Sequence, residues 1–215
     1  MPVDVKICGL STIETMDAAL AAGADLVGLV FYPKSPRHVT IEQAAELAER
    51  ARGKARIVAL IVDADDAAIA EINRRVQPDL FQAHGNEPPE RIAEIAALTA
   101  KPVIKAIKVN TAADIARGSA YSSVAALILY DAKAPETLAG ALPGGNGLAF
   151  DWTLLGNANN AAFMLSGGLT PDNVAEAIRI TGAQIVDVSS GVETAPGIKD
   201  LGLIRKFIEA AKQAS

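Results

Sequence analysis

The sequence predicts an α/β protein, a (β/α)8 TIM barrel folded as one compact domain over residues 1–215. Three observations predict it. Eight short β-rich runs recur along the chain, with helical periods between them. Most of those runs are almost continuously apolar, as strands covered on both faces must be. Finally, eight units in 215 residues crowd an open doubly wound sheet, whereas a compact closed barrel accommodates them, being somewhat shorter than the ~250 residues typical of that fold. A Rossmann or flavodoxin-like sheet with extra strands is the alternative. It lacks support because no Gly-x-Gly-x-x-Gly follows the first run.

The units follow in order. VDVKIC, residues 3–8, opens the chain, and TIETMDAALAAG follows as a helix with Thr12 as N-cap and Gly23 as C-cap. DLVGLVF precedes TIEQAAELAERARG, framed in the same way by Thr40 and Gly53. ARIVALIV leads into DDAAIAEINRRV, LFQAH into PPERIAEIAALT, and PVIKAIKV into TAADIARGS. SVAALILYD is followed by the weakest helical segment, DWTLLGNAN, expected to give only a turn or two. AAFMLSG precedes TPDNVAEAIRITG, and IVDVSSG precedes a final helix read over GIKDLGLIRKFIEAAK. No linker, low-complexity tract or charge block divides the chain.

Composition narrows the function. Half the residues are hydrophobic but only 4% are aromatic, so the core is built from Ala, Val, Ile and Leu. A net charge of −5 argues against a nucleic-acid partner. One cysteine forms no internal disulfide, which fits a reducing, cytoplasmic location. The N-terminus has no basic region followed by an apolar run, and no apolar stretch reaches the ~18 residues of a membrane helix.

In such a barrel, chemistry gathers at the C-terminal ends of the strands. Strand alternation turns Val5 and Ile7 toward the helices and Asp4, Lys6 and Cys8 toward the axis, with Cys8 at the mouth. FYPKSPRHV, stiffened by two prolines, brings Lys34, Arg37 and His38 after the second strand. Gln82 and His84 share a face at the end of the fourth, Asp131 ends the sixth, and Asp187 points inward on the eighth. Lys6 and Asp187 lie on strands that neighbour each other in a closed barrel, so an ion pair between them is expected as support. A structural hydrogen bond is the expected role of His84. The glycine-rich PGGNGLAFDW lies where it can cover a ligand. Gly167 and Gly168, with Ser190 and Gly191, offer backbone N–H groups at the seventh and eighth strand ends, the recurrent phosphate position of barrels.

KICGL, GADLVGLVFYPKSPRHV, QAHG, DAKAP with GGNG and FDW, LSGGLTPDNVAEAI and DVSSGVETAPGIKD stand in order, each at a strand end. In these blocks the chain resembles the phosphoribosylanthranilate isomerases of tryptophan biosynthesis over nearly its whole length. The resemblance implies a (β/α)8 barrel, an Amadori rearrangement of a phosphosugar substrate, and no cofactor or metal. By the same resemblance Cys8 matches the general base, Asp131 the general acid and Arg37 the arginine that meets the anthranilate carboxylate, and the turns at 167–168 and 190–191 match the phosphate site. The chain departs from the family pattern at Ala83, at Asn146 and in a longer segment from Glu136 to Leu142. A thiolate base requires a lowered thiol pKa, for which Lys6 is the expected source, while the acid must hold its proton near neutral pH. Two other functions compete: a histidine-pathway phosphosugar isomerase, which uses two aspartates where this chain has Cys8, and a non-catalytic phosphoribosyl-binding protein. Neither nucleic acid nor membrane is an expected partner, and the chain is expected to be a monomer or homodimer.

Overall fold

The computed structural model describes residues 3–132, 144, 145, 147, 149–155 and 162–214. Eight parallel strands close into a barrel in chain order: β1 (Asp4–Cys8), β2 (Leu26–Phe31), β3 (Arg56–Ile61), β4 (Leu80–Ala83), β5 (Val103–Val109), β6 (Leu127–Ala132), β7 (Phe163–Leu165) and β8 (Ile185–Val188). The ring closes where β1 pairs with β8, placing Lys6 opposite Asp187. The fold class expected from the sequence is therefore the one observed.

Among the described residues six helices join the strands and a seventh follows β8: α1 (Ile13–Ala22), α2 (Ile41–Ala51), α3 (Asp66–Val76), α4 (Pro89–Thr99), α5 (Ala112–Ala116), α6 (Val174–Thr181) and α7 (Leu201–Gln213). Local chemistry sets their ends. The Thr12 side chain accepts from the Thr15 amide, and Gly23 ends α1 at φ 91°. Thr40 and Gln43 form a reciprocal capping box on α2. That helix stops one residue before the expected Gly53: Arg52 is its C-cap, and Gly53 makes the left-handed turn just beyond. After β6 only a 3-10 turn at Trp152–Leu155 stands where a weak helix is expected; the rest of that segment falls outside the described residues.

The expected final helix is shortened at its start. Ile198–Lys199 forms a strand, β10, pairing antiparallel with β9 (Glu193–Ala195), and α7 begins only at Leu201, capped by Asp200. Two sequence features account for this. Gly197 adopts φ 84°, which suits a hairpin turn, and the Asp200 side chain accepts from the Leu203 amide, fixing the helix start beyond it.

Strand alternation divides the core in two. Val5 and Ile7 pack with the helices, alongside Met16, Ala19 and Phe207. Inside the ring, Leu26, Val58, Leu80, Ile104, Ala106, Leu129 and Met164 form a separate apolar plug. Polar inward-facing groups therefore collect above the plug, at the C-terminal mouth.

Candidate active site

A cavity opens at that mouth, lined by Cys8, Arg37, His84, Asp131, Gly144, Gly145, Gly147, the 166–169 turn and residues 187–191. Residues from β1, β4, β6, β7 and β8 and their loops, distant in the chain, meet here because closure of the ring brings all their ends to one rim.

Cys8 is the last residue of β1 and is 4% exposed, packed by Val30 and Leu60 yet forming part of the cavity wall. Room for its sulfur comes from its register partner, Gly28 on β2: a Cβ there would stand 2.9 Å from Sγ. Sequence reasoning passed over Gly28; the only signal was a glycine in an otherwise apolar strand. Lys6, fully buried, donates to Asp187 at 2.8 Å, the expected ion pair, and the Ser166 hydroxyl donates to the other Asp187 oxygen at 3.1 Å. Burial pulls the Lys6 ammonium down, but Asp187 and Cys8 outweigh it and hold the group above its ordinary range. Lys6 favours the Cys8 thiolate, as expected, but does not prevail. Burial pushes the thiol up, Asp187 adds to this, and the pull of Lys6 and Lys199 only partly offsets it. The resting thiol therefore lies above its ordinary pKa, correcting the expectation of a lowered one.

Asp131 is the penultimate residue of β6, which runs one residue further than expected, to Ala132; it is 4% exposed and lines the same cavity. The Ala132 amide donates to its Oδ1 at 3.0 Å, and His84 Nε2 lies 3.1 Å from Oδ2. The Gln82 amide nitrogen faces His84 Nδ1 at 2.9 Å, an orientation that leaves the imidazole proton on Nε2, directed at Asp131. His84 makes a structural hydrogen bond, as expected, and the residue it holds is Asp131. Gly144 lies against both: a Cβ there would come within 2.6 Å of His84 Nε2 and 2.8 Å of Asp131 Oδ2. The glycine-rich segment thus lies over the site at Gly144, Gly145 and Gly147, while Asn146 and Glu136 to Leu142 fall outside the described residues.

Arg37 is buried and reaches the rim of the cavity. Its Nε and Nη2 donate to the two oxygens of Glu193 at 2.7 and 2.8 Å, and Nη2 also donates to the Gly145 carbonyl at 3.2 Å. Glu193 in turn accepts from Lys199 at 2.5 Å, and Lys199 donates to the Ser189 carbonyl at 3.0 Å. Neither Glu193 nor Lys199 was legible as a site residue, because the sequence placed no hairpin after β8. Lys34 and His38, the other basic residues of the Arg37 loop, do not line the cavity.

Across the mouth Gly167 and Gly168 take φ 86° and 65°, conformations that favour glycine, and neither amide donates to an acceptor among the described residues. A side chain at Gly167 would meet the Ala132 amide nitrogen at 2.4 Å, and one at Gly191 the Leu169 carbonyl at 1.8 Å. Ser190 and Gly191 form a 3-10 turn directly after β8. Among the described residues no group of three or more His, Cys, Asp or Glu is placed to hold a metal, and no helix is long and apolar enough to cross a membrane.

A thiol and a carboxyl group lining one cavity, with a guanidinium and a glycine-lined turn at the same mouth, define a (β/α)8-barrel enzyme equipped for proton transfer. Comparison with known proteins gives the same class and narrows it. Residues 5–210 match the model of the N-(5′-phosphoribosyl)anthranilate isomerase family, and the chain belongs to that family. The N-(5′-phosphoribosyl)anthranilate isomerase of Rhodopseudomonas palustris strain BisA53 is 59% identical over 213 residues, covering 99% of this chain and 97% of its own. A phosphoribosylanthranilate isomerase solved in complex with reduced 1-(o-carboxyphenylamino)-1-deoxyribulose 5-phosphate superposes with a TM-score of 0.85 at 36% identity, covering 98% of this chain and 99% of its own. Monomers generated from the dimeric enzyme of Thermotoga maritima superpose with a TM-score of 0.84 at 36% identity, with the same coverage.

Proposed function

We propose that Cys8 and Asp131 carry out, as general base and general acid, the isomerisation of N-(5′-phosphoribosyl)anthranilate, the family's step in tryptophan biosynthesis. The observation that carries this reading is that both residues line one cavity, at the mouth ends of strands three apart around the ring. The Asp131 carboxyl group gives its proton to the furanose ring oxygen. The bond from that oxygen to C1′ breaks, and the nitrogen lone pair forms a C1′=N Schiff base. The Cys8 thiolate then removes the proton at C2′, and the released electron pair forms C1′=C2′ as the iminium is neutralised. The resulting enolamine gains a proton at C1′ and loses one from its 2′-hydroxyl to become the ketone.

Positioned groups of this kind contribute ~10²–10⁴-fold each. His84 orients the acid; the Lys6–Asp187 pair supports the base. Arg37 meets the anthranilate carboxylate through the part of its guanidinium that Glu193 leaves uncovered. The amides of Gly167, Gly168, Ser190 and Gly191 take the phosphate, as glycine turns at the seventh and eighth strand ends of a barrel do. A purely binding function leaves the acid–base pair without a purpose, and a histidine-pathway isomerase would have an aspartate at position 8. We read residues 1–215 as one domain, working in the cytoplasm as a monomer or homodimer on this small-molecule substrate.

The test follows the fluorescence change as purified protein converts phosphoribosylanthranilate, with inorganic phosphate added as competitor. Turnover with competitive inhibition is expected, and replacing Gly168 with a bulky residue should abolish the inhibition. Purely uncompetitive inhibition would place the phosphate elsewhere.

A further inference from the structure

Arg37 does not stand alone at the rim. Its stem crosses Gly9, where a Cβ would lie 2.7 Å from Arg37 Cδ, so the backbone there permits a close pass. Glu193 covers one edge of the guanidinium through Nε and Nη2, and the Gly145 carbonyl takes a second contact from Nη2. Nη1 is then the terminal nitrogen with no acceptor among the described residues.

Glu193 is itself fixed. In the β9–β10 hairpin its register partner is Lys199, which shares Oε1 with Arg37 and is anchored to the Ser189 carbonyl and hydroxyl at 3.0 and 3.2 Å. The hairpin turn packs beneath the arginine loop: a Cβ on Gly197 would reach the Pro36 carbonyl at 2.5 Å. All three charged residues are buried, and together they carry two positive charges and one negative. The single positive charge left over matches one carboxylate.

We propose that Glu193, held by Lys199 on the β9–β10 hairpin, is the positioning residue that sets specificity for a carboxylated aromatic amine, by turning the free corner of Arg37 into the cavity. The inference rests on the reading of Arg37 as the carboxylate-binding residue. A guanidinium released from Glu193 loses its bidentate alignment, and a substrate carboxylate must then order a mobile side chain in order to bind.

The experiment compares kcat/KM for N-(5-phosphoribosyl)anthranilate with that for N-(5-phosphoribosyl)aniline, which lacks the carboxylate. In the native protein the ratio strongly favours the first. Glu193→Gln should lower the ratio about tenfold, mainly by raising KM for the carboxylated substrate, the size expected for one charge-assisted hydrogen bond. Glu193→Asp, which keeps the charge, should lie between the two and serves where the glutamine variant does not fold. Arg37→Ala should bring the ratio close to one. A native ratio in either Glu193 variant, with the ratio collapsed in Arg37→Ala, overturns the role of Glu193 and leaves that of Arg37 intact. A native ratio in Arg37→Ala removes both. A purely structural Glu193 lowers the melting temperature and leaves the ratio unmoved, which also overturns the proposal.

Discussion

The two walls of the mouth are built differently. Around Cys8, β1, β8 and the β9–β10 hairpin bury four charged side chains, Lys6, Asp187, Glu193 and Lys199. Around Asp131 the donors come from β4 and the residue just past it, the His84 imidazole with the Gln82 amide behind it, while the Gln82 carbonyl oxygen has no partner among the described residues. A buried thiol loses its proton only where cations offset desolvation, and here burial still prevails. His84 Nε2 and the Ala132 amide hold the two Asp131 oxygens in place.

The comparison is broken most severely by removing its two end members. Cys8→Ala and Asp131→Asn are each expected to reduce turnover by ~10²-fold or more while circular dichroism stays native. A Cys8→Ala protein that turns over at close to the native rate would leave the base unassigned.

A smaller effect separates the walls by stability. Lys6→Met strands Asp187 in a buried site, and denaturant unfolding should show a loss of about 3–5 kcal/mol. His84→Asn removes one buried hydrogen bond and should cost less, about 1–3 kcal/mol. Equal losses would mean that the two walls do not differ in charge burial.

The gentlest probe is pH. Because the Cys8 thiol is raised, its thiolate is the minor form at neutral pH. The ultraviolet absorbance difference between the native protein and Cys8→Ala should show thiolate appearing only as pH passes the ordinary thiol value of ~8.5. Thiolate absorbance already present from pH 6 to pH 8 would show that the thiol is ionised there and that the cations outweigh burial.

Periodicity and local chemistry determined most of the fold. Eight apolar runs, the Thr12 and Thr40 caps and the Gly23 stop are local signals, and they appear in the structure where the sequence puts them. Alternation along β1 likewise settled that Lys6 and Cys8 point inward, and ring closure followed from the number of strands, so the Lys6–Asp187 pair was legible before any coordinates. Asp131 and the turns at 167–168 and 190–191 were legible as candidates because they follow apolar runs, whereas Arg37 lies in the loop after β2 and was singled out by resemblance.

Tertiary structure alone decided what surrounds them. Glu193 and Lys199 reach the site through a hairpin whose short strands carry too weak a periodicity to distinguish from a helix start. Gly28 matters only because cross-strand register sets it opposite the thiol. The raised pKa of Cys8 is a balance of burial against charges from three different segments, and such a balance depends on distances between residues far apart in the chain, which no local pattern encodes.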